Sequence, residues 1–240
     1  MIIGKCLICN GNLKNNTDSV IMKCYKCGKR EKGHIVCEND HYLCDTCASD
    51  SIISNLFFLL PEIEDKNPVD IGEKLMAKCG ISGNSPHVIT AAAFLLAIKN
   101  TSGIITNADV FEGVTRATQI PGGWCGFYGT CGAAVGLGTA YSVITKATPL
   151  SDKERSQANE ITAKGLTAVA ELGGPRCCAA AVRAILEVGV EIAKEYLNIT
   201  FPERVTDSEP CWVSKYQPDC KHKRCKYFFA QDFNVLQKQG

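Results

Sequence analysis

Paired ligand residues fill the first fifty positions of the chain: Cys6 with Cys9, Cys24 with Cys27, Cys37 with His41, and Cys44 with Cys47. A two-residue gap lets one tight turn aim two thiolates at a single ion, and four such pairs supply the ligands of two tetrahedral zinc sites. The sequence between the pairs carries too little apolar material to build a core without metal, so these eight residues read as structural ligands. Pairing the first with the third and the second with the fourth would interleave two sites. Pairing in sequence would give a ribbon followed by a separate finger, and spacing does not choose between the two. His34 is a spare candidate ligand, and a rubredoxin-like iron site is an alternative for the first two pairs.

The remaining eight of the fifteen cysteines have no such spacing. Cys79 stands alone. Residues 122–132, GGWCGFYGTCG, and 173–178, GGPRCC, each set cysteine behind a glycine turn at a helix start. Thr130 reads as the N-cap of a helix from Cys131, and Gly174-Pro175 as the opening of the helix that carries Cys177 and Cys178. Unpaired amide protons and the helix dipole favour a thiolate there, and Arg176 adds a cation, so the thiol pKa values are expected to fall.

If the two helix starts meet, Cys125, Cys131, Cys177 and Cys178 converge with Arg176 on one electropositive pocket, and these five are the candidate catalytic residues. Such a pocket would suit an iron–sulfur cluster, a catalytic dithiol or an anionic ligand. Cys211, Cys220 and Cys225 either fold back as further ligands of that cluster or form a third zinc site with His222. The competing interpretation is that free cysteines are among the most buried small apolar residues. Trp124, Phe127 and Tyr128 flank the first turn as pocket walls or as loop anchors.

These residues need a frame. A chain of 240 residues, 45% apolar, can bury one sizeable core and a satellite. The division expected is a two-site zinc-finger domain at 1–50 and a cysteine-rich domain at 51–240, with a C-terminal cysteine loop at 205–230. After Cys47 no run keeps a two-residue period for long, and 51–60, 69–79, 86–99, 107–118, 130–146, 151–172 and 175–197 read as helices. The fold class is mainly α, an all-α body behind a small finger domain. Val88 to Ile98 is apolar almost all round and should be the central buried helix.

Net charge is +1 with no block of one sign, which does not favour nucleic acid as a partner. The apolar runs are too short to cross a membrane, and the first residues lack a secretory pattern, so a cytoplasmic setting with reduced thiols is expected. No Walker loop, dinucleotide fingerprint, Ser-His-Asp set or paired-carboxylate motif competes with thiol and metal chemistry.

Residues 33–47, GHIVCENDHYLCDTC, resemble the second half of a RING or treble-clef finger. The turns at 173–178 and 125–133, together with Cys211, Cys220 and Cys225, resemble the marks of an uncharacterised cysteine-rich family of anaerobic bacteria and archaea, over about residues 70–230. That resemblance implies neighbours of radical-SAM and methyltransferase type, proposed to act in sulfur transfer, and hence a partner enzyme. A more distant likeness is to small redox proteins with a Cys-Gly-Ala turn, whose early cysteine only Cys79 would replace. The expected function is a metalloprotein with two zinc ions and an iron–sulfur or activated-thiol site for electron or sulfur transfer. The alternative is a zinc-finger adaptor for a protein or RNA partner, with the other cysteines structural.

Overall fold

The computed structural model describes residues 6–204, 211–217 and 219–228; of the side chains at 15–19, 34, 35 and 45 nothing is described. His34 as a ligand and parts of the 205–230 loop therefore lie outside the described residues. Two antiparallel strands, β1 (Leu13–Lys23) and β2 (Arg30–Cys37), form a hairpin, followed by eight α-helices among the described residues. These are α1 (Asp45–Leu59), α2 (Pro68–Cys79), α3 (Ser85–Ser102), α4 (Asn107–Thr118), α5 (Trp124–Phe127), α6 (Gly132–Ile144), α7 (Lys153–Leu172) and α8 (Cys178–Leu197). The architecture is mainly α, with the small strand region at the front.

The body is built around α3. Every residue from Ser85 to Ile98 is buried, and α2, α4, α6 and α8 pack on it. A helix with no polar stripe has to be surrounded, which is why its neighbours carry the amphipathic patterns. Cys79 is fully buried among the core side chains. Asn67 starts α2 by accepting the Val69 amide at 2.9 Å, and Thr106 with Asp109 forms the capping box of α4. None of the described helices is long and apolar enough to cross a membrane.

Three helix starts differ from the sequence expectation: α1 begins at Asp45 rather than at 51, and the other two concern cysteines. Cys131, not Thr130, is the N-cap of α6, and Cys177, not a residue of the first turn, is the N-cap of α8. Gly174 and Pro175 belong to the linker before α8 rather than to its opening. The hairpin was not foreseen either. Its turn is the Cys24–Cys27 knuckle itself, closed by Gly28 at φ +76 and by the Cys24 amide donating to Lys29 O at 2.8 Å.

Candidate functional site

The front module is organised by its ligand residues. Each knuckle is a backbone turn: the Asn10 amide donates to Cys6 O, Gly28 to Cys24 O and Asp40 to Cys37 O, each at 2.9 Å. The fourth pair opens α1, with Cys44 at the N-cap and the Ala48 amide on its carbonyl at 2.9 Å. The hairpin brings the ends of β1 and β2 together, so knuckles distant in sequence face one another.

The ligand atoms of Cys6, Cys9, Cys37 and His41 lie within 4.8 Å of one another, and so do those of Cys24, Cys27, Cys44 and Cys47. The first pair is thus joined with the third and the second with the fourth, which is the interleaved arrangement. In the first group His41 Nδ1 lies 3.3 Å from Cys9 Sγ, and Cys9 Sγ 3.5 Å from Cys37 Sγ. In the second, Cys27 Sγ lies 3.7 Å from Cys44 Sγ. Four ligands on one tetrahedral ion would be separated by about 3.8 Å. The sulfurs are also what the module buries, since its own small core consists of Cys24, Cys44 and Cys47 with Tyr42 and Leu43 against them.

Thiols this close do not ionise independently. Hydrogen bonds from the Asn39 side chain and the Gly11 amide lower the Cys9 pKa to about 6, while burial pushes Cys37 up. In the second group burial raises Cys47 to about 12, and Cys24, although buried, is brought down to about 6 by backbone amides. A cation at the centre would remove that conflict. Both groups can hold a metal ion, and their sulfur-rich donor sets are consistent with zinc.

The body gathers its cysteines around two adjoining hollows. The smaller is lined by Cys177, Cys211, Cys220 and Cys225, with Ala180, Val213 and Phe228 supplying carbon surface. Trp212–Lys215 and His222–Arg224 are short 3₁₀ turns that fold the C-terminal segment against the start of α8. Lys221 pins this segment by donating to the carbonyls of Leu172 and, at 3.0 Å, of Gly173 at the end of α7. His222 is not among the residues lining this hollow, and its ring packs edge-on against Phe228 at 5.1 Å. No three of the four sulfurs lie within 4.8 Å of one another, so they are spaced more widely than ligands of one ion.

Arg183 anchors this hollow. Almost wholly buried, it donates from Nη1 to Cys211 Sγ at 3.1 Å and makes a two-pronged ion pair with Glu73 of α2, whose Oε2 also accepts from Trp212 Nε1 at 3.1 Å. Burial opposes its charge, but Glu73 and Cys211 outweigh that and leave its pKa raised. The guanidinium therefore stays charged beside the sulfur.

The larger hollow, about 280 Å³, is walled by Pro86, Trp124, Val169 and Leu172 and by the linkers before α6 and α8. Cys125, Cys131, Cys177, Cys178, Arg176 and Lys221 all line it. Cys125, Cys131, Cys177, Cys178 and Arg176 thus line one space, and Cys177 belongs to both hollows while Cys178 faces only the larger. Cys125 is exposed on α5, where Phe127 and Tyr128 also point to solvent.

The expected fall in thiol pKa is overturned. Burial raises Cys131 and Cys177 and carries Cys178 to about 11, outweighing the amides of Ala133 and Ala134 at Cys131, that of Ala180 at Cys177, and the Arg176 charge at Cys178. Desolvation of a thiolate behind carbon walls exceeds what a helix terminus returns. These thiols carry their protons at neutral pH.

Two residues lining these hollows, His87 and Arg183, and the Glu73 that pairs with Arg183 were not singled out from the sequence. His87 follows Pro86 at the start of the central buried helix, and Arg183 is the one charge in the run from Ala179 to Leu186. A lone polar residue in an apolar stretch was the available signal for both.

Comparison with curated proteins and with solved structures gave no match. Residues 58–228, from the end of α1 through both hollows to the last described residue, match the model of a family of unknown function (DUF5714), and the chain belongs to that family.

Proposed function

We propose that the chain is a metalloprotein with two structural zinc ions in its front module and an iron–sulfur cluster held by Cys177, Cys211, Cys220 and Cys225. The larger hollow, in this reading, receives the molecule with which electrons or sulfur are exchanged. The observation that carries the proposal is the meeting of four cysteines from two distant stretches of chain around one partly closed, carbon-walled space. Their sulfurs are too far apart for a single ion, whereas a cluster with inorganic sulfide spreads its cysteine ligands more widely.

A cluster bound there would supply one-electron chemistry or sulfide. The chain's own contribution is to hold and tune it. Arg183 places a charged N–H donor on Cys211, which draws charge from that sulfur and favours the reduced state, and Glu73 and Trp212 fix the guanidinium in place. Cys177, shared by the two hollows, would put one ligand at the edge of the space where a second molecule sits. The partner enzyme is, in this proposal, of the radical-SAM or methyltransferase type that the sequence resemblance implies.

Oxygen-free purification with metal and sulfide analysis tests the reading. The expected result is about two zinc per chain plus iron and acid-labile sulfide, with iron lost and zinc kept in Cys177→Ser and Cys211→Ser. A protein that takes up no iron after incubation with iron and sulfide would overturn it. The exposed Val20, Ile21 and Tyr25 of the hairpin favour one additional role, the adaptor reading, in which the front module docks on a macromolecule.

A further inference from the structure

His87 is nine-tenths buried, yet one of its ring nitrogens is unused. Nδ1 lies 3.1 Å from Ile120 O, and since a carbonyl can only accept, Nδ1 carries the proton. In the neutral ring Nε2 is then a bare acceptor. It has no protein partner among the described residues, and it is not one of their sealed, unpaired polar atoms; His87 lines the 280 Å³ hollow. The fold makes room for this ring at a cost. Gly132 and Gly136 of α6 lie against it, and a Cβ on either would overlap the imidazole or the His87 carbonyl. Two glycines inside a helix are unfavourable relative to alanine.

The rest of the wall limits what can meet Nε2. The ligand must donate a proton or a hydrogen bond to it. No aspartate or glutamate lines the hollow, while Arg176, Lys221 and the starts of α6 and α8 favour negative charge. Lys221 is already directed at the carbonyls ending α7, so it cancels that negative end rather than adding a free cation. Walls of Pro86, Trp124, Val169 and Leu172 suit a weakly hydrated, polarisable sulfur group better than phosphate. A carboxylic acid reaches neutral solution already ionised and brings Nε2 nothing. At 280 Å³ the space falls just below the usual range of about 300–1,000 Å³ for drug-sized ligands, so the ligand is small.

We propose that this hollow binds a neutral low-molecular-weight thiol, hydrogen sulfide included, and that His87 Nε2 accepts a hydrogen bond from its S–H at the starts of α6 and α8. The S–H bond stays intact and the sulfur keeps its proton, so no oxidant or reductant is needed. The proposal deepens the reading above, on which it rests for the hollow's role as the exchange site.

Burial lowers the His87 pKa, so the ring is neutral and ready to accept at pH 7. The titratable and charged groups facing the same space are Cys125, Cys131, Cys177, Cys178, Arg176 and Lys221. Binding should be strongest between the His87 pKa and that of the thiol. Below that window the ring takes its proton from water; above it the thiol arrives without one.

The test uses the full chain, oxygen-free, zinc-loaded and cleared of iron, with nitrogen-15-labelled histidine. Hydrogen sulfide or 2-mercaptoethanol added at pH 7 should move the His87 Nε2 resonance upfield within the range of an unprotonated ring nitrogen, as accepting a hydrogen bond does. In His87→Gln the thiol affinity should fall at least about tenfold and lose its acid limb. An unmoved resonance at millimolar thiol overturns the proposal, as does a His87→Gln protein with unchanged affinity. If that variant does not fold, the wild-type resonance decides alone. Repeating the titration after iron loading separates the two readings: a shift in a protein that takes no iron defeats only the cluster, and bound iron with no shift defeats only the thiol.

Discussion

Cysteine has two different uses in this molecule. In the front module the sulfurs touch, four ligand atoms to a group within 4.8 Å, and with Tyr42 and Leu43 they are the module's interior. In the body the interior is α3 and its neighbours, and the cysteines at residues 125–225 stand on the walls of two hollows beside that core. Touching thiols are relieved by an ion between them, so a metal held there would be part of the front module's folding. Spaced thiols around a hollow need nothing in order to fold, so whatever occupies the space belongs to function rather than to stability. The largest predicted effect follows from that contrast. Removing metal with a chelator, or changing Cys47→Ser, should abolish hydrogen-exchange protection in the Leu13–Cys37 hairpin while α2 to α8 stay protected. Structural zinc in small fingers is worth about 10–16 kcal/mol in apparent terms, far more than so small a core can replace. A hairpin that stays protected without metal would erase the distinction.

The next effect in size is Arg183→Met. Arg183 and Glu73 are an ion pair whose side chains are 7% and 20% exposed, and removing the cation strands Glu73 against α8 with only Trp212 to bond it. Breaking a buried pair from one side costs about 3–5 kcal/mol. Urea denaturation should show most of that loss, and Arg183→Lys should recover part of it, because a single ammonium cannot reproduce the fork. A loss below about 1 kcal/mol would mean that the body's polar contacts are as dispensable as surface pairs.

A smaller effect separates the two walls of the larger hollow. Gly132→Ala drives a methyl into the His87 ring, and overpacking of this kind costs about 1–3 kcal/mol, against roughly 1 kcal/mol regained in helix propensity. Gly126→Ala, on the exposed α5 turn, meets nothing within 4 Å. Thermal denaturation should register the first and not the second. Equal shifts would show that His87 is not held against α6 as the geometry requires.

The elements were largely readable in the chain. Helices at 107–118 and at Val88 to Ile98 were marked by apolar periodicity and by turn residues, and the ligand pairs by their two- and three-residue gaps, because both signals are local. What escaped was set by distance in the fold. Spacing did not say that the first knuckle faces the third, since that depends on a hairpin whose turn is itself a knuckle. The helix starts at Cys131 and Cys177 were placed within a few residues, but their thiol pKa values went the wrong way, because burial comes from Pro86, Val169 and other residues far along the chain. The Arg183–Glu73 pair spans 110 positions and left only a lone charge in an apolar run as its trace.

The smallest predicted effect asks whether the two regions are independent at all. Ser49, in α1 directly behind the Cys44 and Cys47 ligands, is 3% exposed. Its hydroxyl bonds the Asn84 side chain and accepts the Asn84 amide at 3.2 Å, while Asn84 Nδ2 donates to Thr118 O at 2.9 Å. Asn84 is the residue from which α3 starts, three positions before His87, whose amide donates to Asn84 O at 3.0 Å. A metal held at the second front site would thus fix the first turn of α1, and through Ser49 the end of α3 that carries His87. Ser49→Ala should cost about 1–2 kcal/mol of stability, the net worth of the two hydrogen bonds its hydroxyl makes with Asn84. Its informative consequence is in exchange rates. In the native protein, chelation should speed exchange of the His87 amide as well as the hairpin amides, and in Ser49→Ala the His87 amide should already exchange quickly and no longer respond to the chelator. If the His87 amide is indifferent to metal in the native protein, the front module braces nothing in the body, and the contrast between the regions becomes a complete separation.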